Sequence, residues 1–486
     1  MRAVVPCWGS LAVIALVALT VRSADLARRP MHADEANQAV KAGELLESGR
    51  YVFDPRDHHG PTLYYAALPV AWLRGQRTLA ALDETSVRLV PALAGTLAVL
   101  LLAMLAWPAA QNPADGTNRW PALAAAAFLA VSPPAVYYSR YFVQETLLLA
   151  FTLGAFVCTQ RWWRTGLARW AVATGVCAGL MAATKASAPL FVFAALAALA
   201  FVRPRPAAPP RLARDVLLAA GAALGVAALS YSSFGANPGG LRDSLAALGH
   251  AWSRVTGGTG HEKPWWYYLR LFTWQRTGGL VWEQLAFSGL ALAGLVAAFV
   301  SGNRLTRWAA GYTVIIVVVL SLTPYKTPWH AIHLVPGLAL LAAGALAAFP
   351  GRWLAPAAAA VTLALLANQT WRASFLRPAD ERNPYAYVHS SPDVLKYRAL
   401  AGAALARTPL APVRVIGEEY WPLPWYLRGL PRIGYWNTPP ESCDGALVIA
   451  TVAQSAAVRG RLHGAYRETY LGLRPGVLCT VFTPEP

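Results

Sequence analysis

Polar residues suited to chemistry stand in a few short strings of an otherwise apolar chain. MHADEA holds Asp34 and Glu35, and a carboxylate beside a low-dielectric surface can have its pKa raised toward that of a general base for a hydroxyl. The competing reading is that one of the two caps a helix beginning at Ala36. YYSRYFVQE places Arg140 and Glu145 in one turn: Arg140 offers a planar fork for phosphate, and Glu145 can orient it, bind a metal or hold an acceptor. An interfacial anchor is the plainer account of that pair. MAATKAS sets Lys185 between two apolar runs, where it could also snorkel to headgroups. In TPYKTPWHAIH, Pro324 and Pro328 break a helix around Tyr325 and Lys326, and irregular backbone at membrane depth is tolerated mainly where it lines a cavity.

Together these strings supply the carboxylates Asp34, Glu35 and Glu145, three cations and Tyr325. Departure of a phosphate leaves negative charge that fixed Arg and Lys stabilise, so a sugar carried on a lipid phosphate needs no general acid, only a base for the acceptor. Asp34 suits that part. His58 and His59 in RDHHGPTLYY, and His330 with His333, could ligate a metal only with further ligands; substrate contact or loop polarity is the expectation for them.

The elements that must position these residues are membrane helices. The 486 residues are 56% hydrophobic and 14% charged, with mean hydropathy +0.38, which excludes an ordinary soluble domain. A spanning helix takes about 20 apolar residues, and such runs lie near 8–24, 87–107, 120–138, 145–160, 169–184, 187–202, 214–232, 281–301, 308–323, 329–349 and 353–371. The expected fold is therefore an α-helical polytopic membrane protein of about 11 transmembrane helices, over residues 1–371. The first run is read as an anchor rather than a cleaved leader. The net charge of +18 is assigned to loops and anionic lipid headgroups, not to nucleic acid.

Arg161, Arg164 and Arg169 share one loop, Arg203, Arg205, Arg211 and Arg214 a second, and Arg304 with Arg307 a third. All three fall on one side, which the positive-inside rule makes cytoplasmic, as it does the N-terminus. The segment from Arg22 to Arg88 balances nine basic against nine acidic residues, as a translocated loop should. It forms the first outer loop (22–86), with surface-lying helical parts; 233–280 forms a second, whose Trp265, Trp266, Tyr267 and Tyr268 suit the headgroup belt. From 372 to 486 β-rich runs (PVRVIG, ALVIATVA, VLCTVFT) alternate with a helical patch (TVAQSAAVRGRLHG), the pattern of a small extracytoplasmic α/β domain. Cys443 and Cys479 lie there, where a disulfide is permitted and the sequence leaves their pairing open.

The strings MHADEA, DPRDHHGPTLYY, YYSRYFVQE, KPWWYYL, PYKTPW and YWPLPWYLRG, in this order, resemble the flippase-activity-associated family. That family is one of GT-C membrane proteins related to the dolichyl-phosphate-mannose protein mannosyltransferases of glycosyltransferase family 39. The resemblance spans nearly the whole chain. It implies a GT-C fold and a polyprenyl-phosphate sugar donor used at the extracytoplasmic face of the cell membrane. It further implies Asp34 and Glu35 as the catalytic acidic pair, and Arg140, Lys185, Tyr325 and Lys326 as the donor-phosphate residues. Glu145, His58, His59, Tyr64, Trp329 and His330 are the expected substrate or acceptor contacts. A divalent metal, Mg or Mn, would be sought at Asp34, Glu35 and Glu145. The expected activity is an inverting transfer to a hydroxyl of a protein, glycan or lipid acceptor. The alternative is a flippase-associated protein that holds the same lipid-linked sugar without transferring it.

Overall fold

A computed structural model describes residues 7–57, 59–107, 119–202, 211–256, 260–349 and 353–485. The chain divides into two compact units, one of Met1–Leu26, Arg50–Ala66 and Arg88–Pro378, the other of Ala27–Gly49, Ala67–Val87 and Ala379–Pro486.

The first unit is helical. Among the described residues, Glu84–Ala106, Leu212–Tyr231, Arg304–Leu322 and the Pro328–Ala347 run are long and apolar enough to cross a membrane, and shorter apolar helices stand beside them. Leu217, Leu224 and Val300 are among the most exposed apolar side chains, whereas Glu145, Lys185 and Asp215 are buried. That inversion suits a hydrocarbon solvent, in which charge is admitted only toward the protein interior.

Close helix contacts are made by small residues. Gly175 and Gly179, four apart on Ala168–Ala182, meet the backbone of Leu212–Tyr231, where an added Cβ would lie 2.1 Å from the Ala219 carbonyl oxygen and 2.5 Å from that of Ala223. Without a hydrophobic force between helices in lipid, such close approach is a main source of association. The apolar run read at 120–138 is two helices, Trp120–Val131 and Pro133–Tyr138. Pro133 and Pro134 force Ser132 into extended backbone (φ −67°, ψ 131°), because a residue before proline is excluded from the α region. After the short helix Tyr267–Phe272 comes an antiparallel hairpin of β1 (Trp274–Thr277) and β2 (Leu280–Glu283).

The second unit joins the helix Ala33–Ser48 to an α/β sheet. Its strands are β3 (Val413–Ile416), β4 (Ile433–Trp436), β5 (Leu447–Thr451), β6 (Tyr466–Arg474) and β7 (Val477–Pro484), in the order β4-β3-β5-β7-β6. β3 runs parallel to β4 and β5, and β7 antiparallel to β5 and β6. The three runs read as strands in the sequence are β3, β5 and β7. The shorter β4 and the charged β6 have no comparable apolar run. Ile416, Val448, Ala450, Val458 and Phe482 form the core on one side of the sheet, together with Cys443. Cys443 and Cys479 are both free thiols.

Candidate functional site

Two groups of side chains follow from this arrangement, one in each unit. In the first unit, Glu145 opens the helix Glu145–Thr165 and Lys185 follows the helix Ala168–Ala182. The turn between them is closed by Gly166 in the left-handed conformation (φ 65°). Glu145 and Lys185 lie about 20 residues to either side of Gly166, so a rise of 1.5 Å per residue brings both to the same end of an antiparallel pair. An acid at a helix N-terminus and a base past a C-terminus are each favoured by the helix dipole. Both are buried, and Lys185 Nζ donates to Glu145 Oε1.

His330 is the next partner: its Nε2 lies 3.5 Å from Lys185 Nζ. The ring is carried by the short 3₁₀ helix Pro328–His333, made possible by the prolines that end Arg304–Leu322. Tyr268 donates its hydroxyl to the Thr327 carbonyl at 3.0 Å and stands 3.4 Å from His330 Nδ1. Tyr325 approaches the same histidine, with ring centroids 6.5 Å apart, and Trp329 meets Tyr138 edge to face. The HHGPT segment completes the group. Gly60 and Thr62 donate their amides to the Thr184 and Ala183 carbonyls at 3.1 and 3.2 Å, and the Thr62 and Thr184 hydroxyls pair at 2.7 Å. A Cβ on Gly60 would sit 2.1 Å from the Ala183 oxygen, so only glycine lets His59 come this close to the Lys185 turn. Tyr64 is buried and stacks on Tyr51, whose hydroxyl donates to the His59 carbonyl at 2.9 Å. His58 lies outside the described residues.

Two cations read as phosphate ligands are committed elsewhere. Arg140 donates to the carbonyls of Val21, Arg22, Ala24 and Asp25 at 2.6 to 3.3 Å. Its guanidinium also lies 4.4 Å from the Phe375 ring centroid. The last carbonyls of a helix have no partner within it, and Arg140 supplies them at the end of Cys7–Ser23. Lys326 is buried, with Nζ donating to the carbonyls of Lys263 and Thr323 and its amide to that of His261 at 3.0 Å. It thereby ties the 261–263 segment to the proline-broken turn.

The second unit holds the acidic pair. The helix begins at Ala33, three residues earlier than the sequence suggests, and its N-cap is His32 rather than an acid. Glu35 is fully buried, accepts from Arg29 Nη2 at 3.0 Å on both oxygens and accepts from the His32 amide at 3.1 Å. It is a capping-box residue in an ion pair, which removes it from the catalytic role expected of it. Asp34 is exposed, and its carboxylate has no hydrogen-bond or ion-pair partner among the described residues. Among the described residues, no three His, Cys, Asp or Glu side chains lie close enough to hold a metal ion. Of the residues expected to hold Mg or Mn, Glu35 accepts from Arg29 and Glu145 from Lys185.

Arg22, Arg29, His32, Gly60 and Tyr268 are not among the site residues expected from the sequence. His32 stands one residue before the helix that carries the acids, and Tyr268 lies within an aromatic run that reads as a headgroup belt.

A sequence profile of the dolichyl-phosphate-mannose-protein mannosyltransferase family matches residues 67–231. No curated protein matches the chain in sequence. Among solved structures it is similar to ArnT from Cupriavidus metallidurans bound to undecaprenyl phosphate, with TM-score 0.66 and 18% identity over 97% of this chain and 98% of that one. The apo state of the same protein gives TM-score 0.64 and 17% identity over 98% of each. The archaeal oligosaccharyltransferase AglB from Archaeoglobus fulgidus, in complex with an inhibitory peptide and a dolichol-phosphate, gives TM-score 0.54 and 14% identity over 95% and 72%. The chain has the GT-C fold of membrane glycosyltransferases.

Proposed function

We propose that this chain is a membrane glycosyltransferase that moves a sugar from a polyprenyl-phosphate donor to an acceptor hydroxyl, with inversion, at the extracytoplasmic face. The observation that carries this reading is the buried Glu145–Lys185–His330 group at the ends of apolar helices. A lysine ammonium has three protons: one goes to Glu145, one points toward His330, and the third has no partner among the described residues. A phosphate oxygen fills that place. Glu145 holds the ammonium in position, and Tyr268, Tyr325 and His59 supply the polar and aromatic wall. As the C1–O bond of the donor breaks, the charge left on phosphate is stabilised by a cation that needs no reorientation, the main electrostatic contribution available to such a site.

Asp34 is assigned the general base. Its carboxylate is exposed and uncommitted, whereas its neighbour is spent on structure. The positions of the basic loops support an outward-facing site, and the lipid phosphates named with the ArnT and AglB structures support the class of donor.

The test uses purified full-length chain in liposomes, given undecaprenyl-phosphate-linked hexose labelled in the sugar and an envelope extract as acceptor. The expected result is release of undecaprenyl phosphate with label appearing on the acceptor, lost by at least about 100-fold in Asp34→Asn. Intact donor crossing between leaflets without turnover, or full turnover by folded Asp34→Asn, would overturn the proposal.

A further inference from the structure

The chain around the acidic pair is tied down by several hydrogen bonds. Met31 donates its amide to Tyr426 Oη at 2.8 Å. His32 donates its amide to Glu35 at 3.1 Å, and Glu35 also takes both contacts from Arg29. Within this segment Asp34 alone is exposed with an uncommitted carboxylate. Its backbone, by contrast, is held: the Asp34 amide donates to His32 Nδ1 at 3.1 Å.

That last contact fixes the state of the imidazole. Nδ1 faces an N–H, which can only donate, so Nδ1 carries no proton. Nε2 lies 3.0 Å from the Tyr387 carbonyl, which can only accept, so Nε2 carries the proton. The ring is buried at 6% exposure. N-caps are ordinarily Ser, Thr, Asp or Asn, whose short side chains satisfy the first-turn amides and nothing more. A histidine does that with one nitrogen and ties the helix start to the 387 segment with the other. Its ring is flanked edge-on by His389, with centroids 5.8 Å apart.

We infer that His32 is a positioning residue for the proposed transfer, its ring fixing the first helical turn and with it the place of the Asp34 carboxylate. The inference rests on the assignment of Asp34 as base. It requires that the Nδ1 acceptor, rather than the bulk of the ring, be what matters. Asparagine places an oxygen where Nδ1 stands; glutamine places a group near Nε2 and leaves the Asp34 amide without an acceptor.

The experiment measures kcat and KM for undecaprenyl-phosphate-linked hexose in His32→Asn and His32→Gln, with thermal unfolding of each full-length variant as control. Expected are a fall in kcat of about 10–100-fold for His32→Gln at unchanged donor KM, the scale of a misplaced catalytic group, and recovery to within about threefold in His32→Asn. Two outcomes overturn the inference: folded His32→Gln with wild-type kcat, or folded His32→Asn losing as much kcat as His32→Gln. If His32→Gln does not fold, folded His32→Asn with kcat reduced more than about tenfold overturns it, and folded His32→Asn within threefold supports it. Asp34→Asn run alongside separates the two levels: its full activity removes the base assignment itself, whatever the histidine variants do.

Discussion

Arg140 donates to the carbonyl of Arg22 at 3.3 Å, while Arg22 donates to the carbonyls of Leu129 and Ala130 at 3.0 and 2.8 Å. Each arginine therefore closes the C-terminal end of a helix to which it does not belong, Cys7–Ser23 in one case and Trp120–Val131 in the other. A lysine in place of Arg140 has one nitrogen for the work of two. Arg140→Lys is expected to lower the stability of the folded chain by roughly 2–4 kcal/mol and to leave the KM for undecaprenyl-phosphate-linked hexose unchanged in the protein that folds. A rise in KM without loss of thermal stability would return Arg140 to the phosphate.

The Glu145–Lys185 pair calls for a different kind of variant. Lys185→Met strands a buried carboxylate, at a cost of about 3–5 kcal/mol. Adding Glu145→Gln removes that charge and is expected to restore the melting temperature. Turnover should remain lost by about 100-fold or more, because no ammonium faces the phosphate. An active double variant would show that the pair serves folding alone.

Gly60→Ala tests the close approach of the HHGPT segment. The new Cβ meets the Ala183 carbonyl oxygen, a backbone atom that cannot swing aside. The expected cost is about 1–3 kcal/mol, with kcat reduced as His59 and the Lys185 turn move apart. Unchanged stability and kcat would mean that the segment shifts freely.

His389 supplies a pH dependence. Burial, reinforced by the charge of Arg29 and opposed by Glu35, pushes its imidazole well below the ordinary 6.5. The unfolded chain therefore binds the extra proton below pH 6.5 while the folded chain does not, and stability falls as pH drops from about 6.5 toward the depressed folded value. Above 6.5 both states are neutral and nothing changes. Each pH unit within that window removes at most about 1.4 kcal/mol. Thermal unfolding at pH 7.5 and 5.5 should show a smaller acid loss in His389→Asn than in the unsubstituted chain; equal losses would exclude His389 as the source.

The polar strings and the apolar runs between them were legible in the sequence because hydrocarbon imposes a length on helices and a penalty on charge. That alone brought Glu145 and Lys185 to one end of a helical pair. The sheet runs β3, β5 and β7 were visible for a different reason, being dense in apolar β-formers. Which charges stay free was decided by tertiary structure. Arg140, Lys326 and Glu35 look in sequence like their neighbours Lys185 and Asp34. Their hydrogen-bonding capacity is instead taken up by orphan carbonyls, a turn and a helix cap, groups supplied by residues up to 119 positions away. The sequence determined that a set of acids and bases stands at the ends of membrane helices. The packing determined that Asp34 and Lys185 keep unspent capacity, because backbone groups left unpaired at helix ends claim the nearest side chain that can reach them.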